Sequence, residues 1–181
     1  MVEVYDRGKE KGAAIVRQTI LSDEIDGSPI ATILRTVLAR GDGGLGGSQE
    51  KGPLPHQTPD REPDRVVEYQ TSGNQAGIYR LSGDRNPLHI DPDLARAAGF
   101  SSPILHGLCT YGYACRAVLQ AFCEFDPARI VSHQARFSSP VFPGDKLTIK
   151  LWREDETTIS FEVDVAERNV TVIRNGLTIL R

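Results

Sequence analysis

A carboxylate, an amide and an imidazole lie close together in the segment 79–91, as Asp84, Asn86 and His89. Pro87 stands between the amide and the imidazole; it lacks a backbone N–H and biases Asn86 towards extended geometry. The segment is therefore predicted to form a fixed turn and not one face of a helix. A turn that directs these side chains into one pocket supplies an acid/base pair and an amide to orient a ligand. This combination suits the addition or removal of water.

Length and composition indicate a soluble globular protein that holds one domain and an appendage. The chain has 181 residues, of which 39% are hydrophobic and 25% are charged. The formal net charge of -3 does not indicate a basic surface for binding nucleic acid or an anionic membrane. No run approaches the roughly 20 apolar residues that span a bilayer, and the first residues lack the regions of a signal peptide. Neither nucleic acid nor a membrane is expected as a partner.

The three cysteines, Cys109, Cys115 and Cys123, fall in one apolar segment. At about 100° per residue they do not converge on one face of a helix within one or two turns. Neither metal ligation nor a disulfide framework is expected, and the cysteines are predicted to pack inside a helix. A reducing cytoplasm is the predicted compartment.

The first third of the chain is predicted to hold a pair of antiparallel strands and a linker. Two strand-like runs, 12–21 and 30–38, flank the turn signal 26–29. The glycine-rich run 41–47 then ends regular structure. Residues 48–65 carry several prolines among charged and polar residues, which is typical of a surface linker.

The rest of the chain is predicted to be an α+β domain. Its longest helical signal covers 107–124, where apolar residues recur at steps of three and four. One long helix followed by antiparallel strands implies a sheet wrapped around that helix. A strand at 66–69 and short helices near 74–82 and 93–98 precede the long helix. The strands that follow it are predicted at 129–137, 145–153, 158–167 and 170–179.

Four segments of this domain, 79–92, 97–100, 103–110 and 136–144, together resemble the MaoC-like (R)-specific enoyl-CoA hydratases. The resemblance covers about residues 66–181. It implies a hot-dog fold, in which an antiparallel sheet wraps a long central helix. It also implies reversible hydration of trans-2-enoyl-CoA to (R)-3-hydroxyacyl-CoA, without a cofactor, by a homodimer or another homo-oligomer.

The resemblance assigns Asp84 and His89 to catalysis and Asn86 to positioning within the same turn. It makes the backbone N–H of Gly107 the donor to the thioester oxygen, and the start of a helix offers free N–H groups and a positive dipole end. Coenzyme A is expected to meet a strand and turn that follow the helix, through Arg136, Ser138 and Lys146.

The N-terminal residues resemble something else. Residues 1–47 look like remnant strands of a second, non-catalytic hot-dog repeat, whose helix and first strands have no counterpart in the sequence. The domain division is therefore predicted as 1–47, a linker at 48–65 and a catalytic domain at 66–181. The strands at 12–40 are expected to expose apolar residues unless they pair with something.

Other interpretations of single residues stay open at this point. Asp84 alone would be an ordinary turn residue, and Asn86 could simply hold the turn. His106 is expected to be structural or to support the catalytic residues from behind, and His56 and His133 to be solvated or satisfied histidines. A metal site made of Asp84, His89 and His106 is conceivable but not expected, because zinc sites need convergent ligands.

Two rival functions also remain. Hot-dog folds support thioester hydrolysis as well, so an acyl-CoA thioesterase is the alternative enzyme. The incomplete N-terminal part makes a non-catalytic acyl-binding or assembly module the alternative of a different class.

Overall fold

The structure is a computed structural model that describes residues 3–44, 46–48 and 54–181. The chain divides into two compact units, Met1–Leu54 and Pro55–Arg181. Leu45 of the glycine-rich run and residues 49–53 of the predicted linker lie outside the described residues.

The first unit holds a three-stranded antiparallel sheet in the order β1-β2-β3. Strand β2 covers Ala13–Ser22 and β3 covers Pro29–Ala39, which confirms the predicted pair. Strand β1, Glu3–Asp6, was not predicted because it is short and polar. Whether these strands derive from a second repeat stays a prediction.

Within this unit the long hairpin exposes apolar side chains, as the sequence predicts. Ile30 is 68% exposed and Leu34 is 66% exposed. Because side chains alternate along a strand, Leu34 and Ile33 point to opposite faces, and both are exposed. Apolar residues therefore lie on both faces of β3.

The second unit is an α+β domain in which a five-stranded antiparallel sheet has the order β4-β6-β7-β8-β5. The long helix α3, Gly107–Phe122, contributes to one buried apolar core together with the sheet. The predicted helix and strands of this domain are confirmed. The strands are β4 Arg65–Gln70, β5 Ile130–Phe137, β6 Lys146–Arg153, β7 Thr158–Val165 and β8 Val170–Leu180. The short helices are α1 Gln75–Tyr79 and α2 Pro92–Ala97.

Helix α3 places small residues against the sheet. Ala114, Ala117 and Val118 are fully buried, and they belong to the same core as Ile149 and Phe161. The helix ends at Phe122, slightly before the predicted end, because Glu124 and Phe125 adopt positive φ angles of 52° and 63°, which no helix accommodates.

Residues 55–64 pack on the sheet and are not a free linker. The Trp152 indole N–H donates to the carbonyl of Arg61 at 2.8 Å, and the Asn175 amide donates to the carbonyl of His56 at 2.6 Å. The second unit thus begins at Pro55, earlier than the predicted boundary at 66. Prolines keep this segment extended, so its carbonyls stay available to side chains of β6 and β8.

The cysteines pack as predicted. All three are free thiols; Cys109 and Cys123 are buried and Cys115 is half-buried. In the described part of the chain, every helix is too short or too polar to cross a membrane.

Candidate active site

The segment that carries Asp84, Asn86 and His89 is a fixed turn, as the sequence predicts. Gly83 opens it with a φ of 115°, a conformation that residues with a side chain rarely adopt. The Asp84 carboxylate accepts the N–H of Asn86 at 3.2 Å, and the Asn86 side-chain oxygen accepts the N–H of Leu88 at 3.1 Å. Asn86 thereby caps the short 3₁₀ turn Pro87–His89, so the main role of its side chain is to hold the turn.

His89 is oriented by a backbone carbonyl. Its Nδ1 lies 2.8 Å from the carbonyl oxygen of Ile104, and since a carbonyl only accepts, Nδ1 carries the proton. In the neutral form of the ring, Nε2 then keeps a lone pair, and no hydrogen bond from the described residues reaches it. The side chain is 9% exposed and faces a cavity. A neutral imidazole with one nitrogen fixed and the other free is suited to accept a proton.

His106 contacts both catalytic candidates, Asp84 and His89. Its ring stacks on the His89 ring with centroids 3.6 Å apart, and its Nε2 donates to the backbone carbonyl of Asp84 at 3.0 Å. The residue is 1% exposed, and burial is the main cause that lowers the pKa of His106 below its ordinary value of 6.5. A neutral His106 does not repel the positive charge that His89 gains when it takes up a proton.

Gly107 lies at the first position of α3, where backbone N–H groups have no partner within the helix. A Cβ atom at this position would lie 3.2 Å from the Phe137 ring, tighter than an ordinary van der Waals contact. Glycine therefore leaves open a narrow space between the helix end and Phe137. A substrate oxygen that enters this space can approach the N–H.

His89 and Gly107 line one cavity of about 300 Å³. An oxygen of Asp84 and a ring nitrogen of His89 lie within 4.8 Å of each other, a separation that one water molecule can bridge with two hydrogen bonds. Most of the remaining cavity wall is apolar. It is formed by Phe100, Ile104, Leu105, Phe137, Val141 and Val172.

Asp84, His89 and His106 offer ligand atoms that lie within 4.8 Å of one another, but the arrangement does not fit a metal ion. A metal binds imidazole nitrogen in the ring plane at about 2.0–2.1 Å. The His89 and His106 rings are stacked with centroids 3.6 Å apart and planes 27° apart, so one ion cannot lie in both ring planes at that distance. The three residues suit proton transfer better than chelation.

The residues predicted to bind coenzyme A do not all line the same space in the structure. Ser138 lines the apolar cavity and also a second, polar groove of about 730 Å³. Lys146 forms an ion pair with Glu68 at 2.7 Å. Neither Lys146 nor Arg136 lines either space, whereas Lys150 and Arg174 line the polar groove. Lys150 is paired with Asp164 at 2.7 Å.

Sequence reasoning missed three contributors to the site. The role of the Ile104 carbonyl could not be predicted from the sequence, since every residue has a backbone carbonyl. The stacking of His106 depends on a contact between distant segments. Thr110, one turn after Gly107 on α3, lines the same cavity, and its position on the helix was the one available signal.

The fold and the site define a hot-dog protein whose helix N-terminus faces an Asp/His turn. The family model described as MaoC like domain matches residues 55–175, and the chain belongs to that family.

The chain is 42% identical over 182 residues to a probable enoyl-CoA hydratase 2 of Dictyostelium discoideum, covering 99% of this chain and 61% of that protein. It is similar to a MaoC-like dehydratase from Phytophthora capsici, with a TM-score of 0.92 and 41% identity over 99% of this chain and 62% of the other. The full-length peroxisomal multifunctional enzyme type 2 of Drosophila melanogaster gives a TM-score of 0.88 at 41% identity, over 99% of this chain and 32% of the other. The chain thus spans about 60% of the length of the first two.

Proposed function

We propose that this protein catalyses the reversible hydration of trans-2-enoyl-CoA to (R)-3-hydroxyacyl-CoA, as a hydro-lyase of fatty acid β-oxidation. One observation carries the proposal: His89 and the helix N-terminus at Gly107 line one apolar cavity, and a carboxylate oxygen of Asp84 lies within 4.8 Å of a His89 ring nitrogen. Each group matches one requirement of the reaction. The names of the similar proteins agree with this activity.

The proposed reaction begins with a water molecule held between the Asp84 carboxylate and Nε2 of His89. Nε2 takes one proton from the water while the oxygen forms a bond to C3 of the enoyl group. The electron pair of the C2–C3 double bond moves towards the thioester, and C2 then receives a proton from the Asp/His pair. Acid/base help of this kind contributes about 10²–10⁴-fold in rate.

Negative charge develops on the thioester oxygen while water adds. The N–H of Gly107 donates to that oxygen, in the space bounded by Phe137. One donor aimed at such an oxygen contributes about 10²–10³-fold. Asn86 keeps the turn in place by capping it, which fixes the distance between the carboxylate and the imidazole.

Bound coenzyme A is proposed to extend from the apolar cavity into the polar groove past Ser138, which lines both. The groove continues to the cations Lys150 and Arg174, which suit the phosphates. Arg136 is opposite Arg174 in the register of β5 and β8, so it adds positive charge to the same region and stays a proposed contact. Lys146, paired with Glu68, is the weakest of the predicted contacts.

The activity is tested with a series of trans-2-enoyl-CoA thioesters of increasing chain length. Hydration removes the conjugated double bond and so its ultraviolet absorbance, and chiral analysis of the product gives its configuration. The (R)-3-hydroxyacyl product is expected. Release of free thiol without hydration would contradict the proposal and indicate a thioesterase. Binding without turnover would contradict it and indicate an acyl-binding module.

We also propose that the chain associates with copies of itself and works in the cytoplasm. The apolar side chains exposed on the first unit's hairpin support association, because large exposed apolar patches mark interaction surfaces. The free thiols suit a reducing compartment. Sedimentation of the purified chain and microscopy of a tagged chain test these two points.

A further inference from the structure

Thr110 is a buried polar residue that the catalytic steps described above do not use. It is 2% exposed, and its hydroxyl oxygen has no hydrogen-bond partner among the described residues. Burying a hydroxyl without a partner destabilises the folded protein, and such groups are rare enough that each needs a reason.

The helix does not satisfy this hydroxyl. A threonine inside a helix commonly donates to the carbonyl four residues earlier, which here belongs to His106. That carbonyl already accepts the N–H of Cys109 at 3.0 Å and the N–H of Thr110 itself at 3.3 Å. The hydroxyl is therefore left without a bond inside its own helix.

The position of Thr110 on α3 directs its side chain towards the reacting end of the cavity. Side chains in a helix lean towards its N-terminus, so a residue three positions after Gly107 lies over the first turn on the same face. Gly107 places no side chain between the two. Thr110, Gly107 and His89 all line the apolar cavity.

We propose that the Thr110 hydroxyl donates a hydrogen bond to the thioester oxygen of the acyl-CoA substrate, beside the N–H of Gly107. This inference rests on the proposed function. Thr110 then supplies a second donor, which strengthens as negative charge develops on the oxygen. No described residue competes for the hydroxyl, so it is available to the substrate.

A binding experiment tests the contact without any turnover. The ligands are butyryl-CoA, a thioester, and S-butyl-CoA, a thioether that differs in lacking the carbonyl oxygen. Calorimetry on the full chain is expected to show tighter binding of the thioester. In Thr110→Val this preference falls at least about fivefold, while Thr110→Ser, which keeps the hydroxyl, retains it. An unchanged preference in Thr110→Val, or no preference in the wild-type protein, overturns the proposal.

Kinetics give a second measurement. Thr110→Val is expected to raise KM for crotonyl-CoA about fivefold, in line with the weaker thioester binding, and to lower kcat about tenfold. Thr110→Ser is expected to recover most of both. Thr178→Val is the matched control, because Thr178 is also fully buried but bonds to His133, away from the cavity. If Thr110→Val does not fold, Thr110→Ala takes its place.

The two proposals fail in different ways. A wild-type chain that hydrates no enoyl-CoA but prefers the thioester through Thr110 would overturn the proposed function and keep this contact. A chain that hydrates normally after loss of the Thr110 hydroxyl would keep the function and overturn the contact.

Discussion

At the scale of single residues, the site depends on groups that hold the catalytic pair in place. His89 is fixed by the carbonyl of Ile104 and by stacking on His106. Asp84 is fixed by the Asn86 N–H and by His106, which binds its carbonyl. His106 is thus the residue that links the backbone of Asp84 to the His89 ring.

Replacing His106 tests this link. His106→Phe keeps an aromatic ring against His89 but removes the N–H that binds the Asp84 carbonyl. Hydration by this variant is expected to fall about tenfold, because a lost hydrogen bond of about 1 kcal/mol is close to the 1.36 kcal/mol that changes a rate tenfold. His106→Gln retains an N–H donor and is expected to lose less. Equal activity in wild-type and His106→Phe proteins would show that the link has no part in catalysis.

Gly107→Ala tests the space above the helix end. The new methyl group would lie 3.2 Å from the Phe137 ring, where the thioester oxygen is expected to bind. Hydration is expected to fall about 10²-fold, the value of one donor to the oxygen. Gly112→Ala is the control, because a Cβ there meets nothing within 4 Å; it should stabilise α3 by up to about 1 kcal/mol and leave kcat unchanged. Normal turnover by Gly107→Ala would refute the role of this N–H.

At the scale of secondary-structure elements, the helix and strands that were predicted correctly are those with a local periodic pattern of apolar residues. The apolar stripe of α3 and the alternation of Ile159, Phe161 and Val163 in β7 indicated the helix and its sheet. The turn chemistry around Pro87 indicated that Asp84 and His89 meet. Strand β1 was missed because it is short and polar, and the packing of residues 55–64 was missed because it is fixed by contacts with distant segments. The stacking of His106 on His89 was missed for the same reason.

His133 connects three elements and makes the stability of the domain depend on pH. Its Nδ1 lies 2.7 Å from the Thr178 hydroxyl on β8, its ring stacks on Phe161 of β7, and its carbonyl accepts the hydroxyl of Tyr111 on α3. Burial is the main cause that lowers the pKa of His133 from 6.5 to about 4. As the pH falls below 6.5, the unfolded chain therefore takes up this proton before the folded protein does, so the folded state loses stability between pH 6.5 and pH 4.

The loss attributable to His133 is expected to be about 3 kcal/mol at pH 4, since one pKa unit corresponds to 1.36 kcal/mol. Urea unfolding of the wild-type protein and of His133→Gln at several pH values measures it. The difference between their free energies of unfolding should shrink by about this amount from pH 7 to pH 4. A difference that does not vary with pH would mean that His133 titrates normally in the folded protein.

At the scale of the whole molecule, the two units differ in how completely they bury their apolar residues. The second unit has a continuous core in which Leu147, Ile149 and Phe161 are fully buried. The first unit is a sheet whose strand β3 is exposed along nearly its whole length. A sheet with exposed apolar faces is prone to associate with other chains.

Introducing charge on this sheet is expected to weaken association. Leu34 and Leu38 lie on one face of β3 and are 66% and 53% exposed, so a double variant Leu34→Lys with Leu38→Lys adds two positive charges without disturbing a buried core. Sedimentation velocity over a range of concentrations should show larger species for the wild-type chain and smaller ones for the variant. Arg35→Lys, in the same strand, is the control. A wild-type chain that stays monomeric at every concentration would contradict the expectation.

The most direct test of the proposed chemistry is the hydration of crotonyl-CoA by Asp84→Asn and His89→Gln. Each substitution removes one half of the acid/base pair and keeps a side chain of similar size that can still make the turn's hydrogen bonds. The wild-type protein is expected to form the (R)-3-hydroxy product, and each variant to lose about 10²–10⁴-fold in kcat with an unchanged thermal unfolding curve. Near-normal turnover by either folded variant would contradict the central claim that Asp84 and His89 activate water.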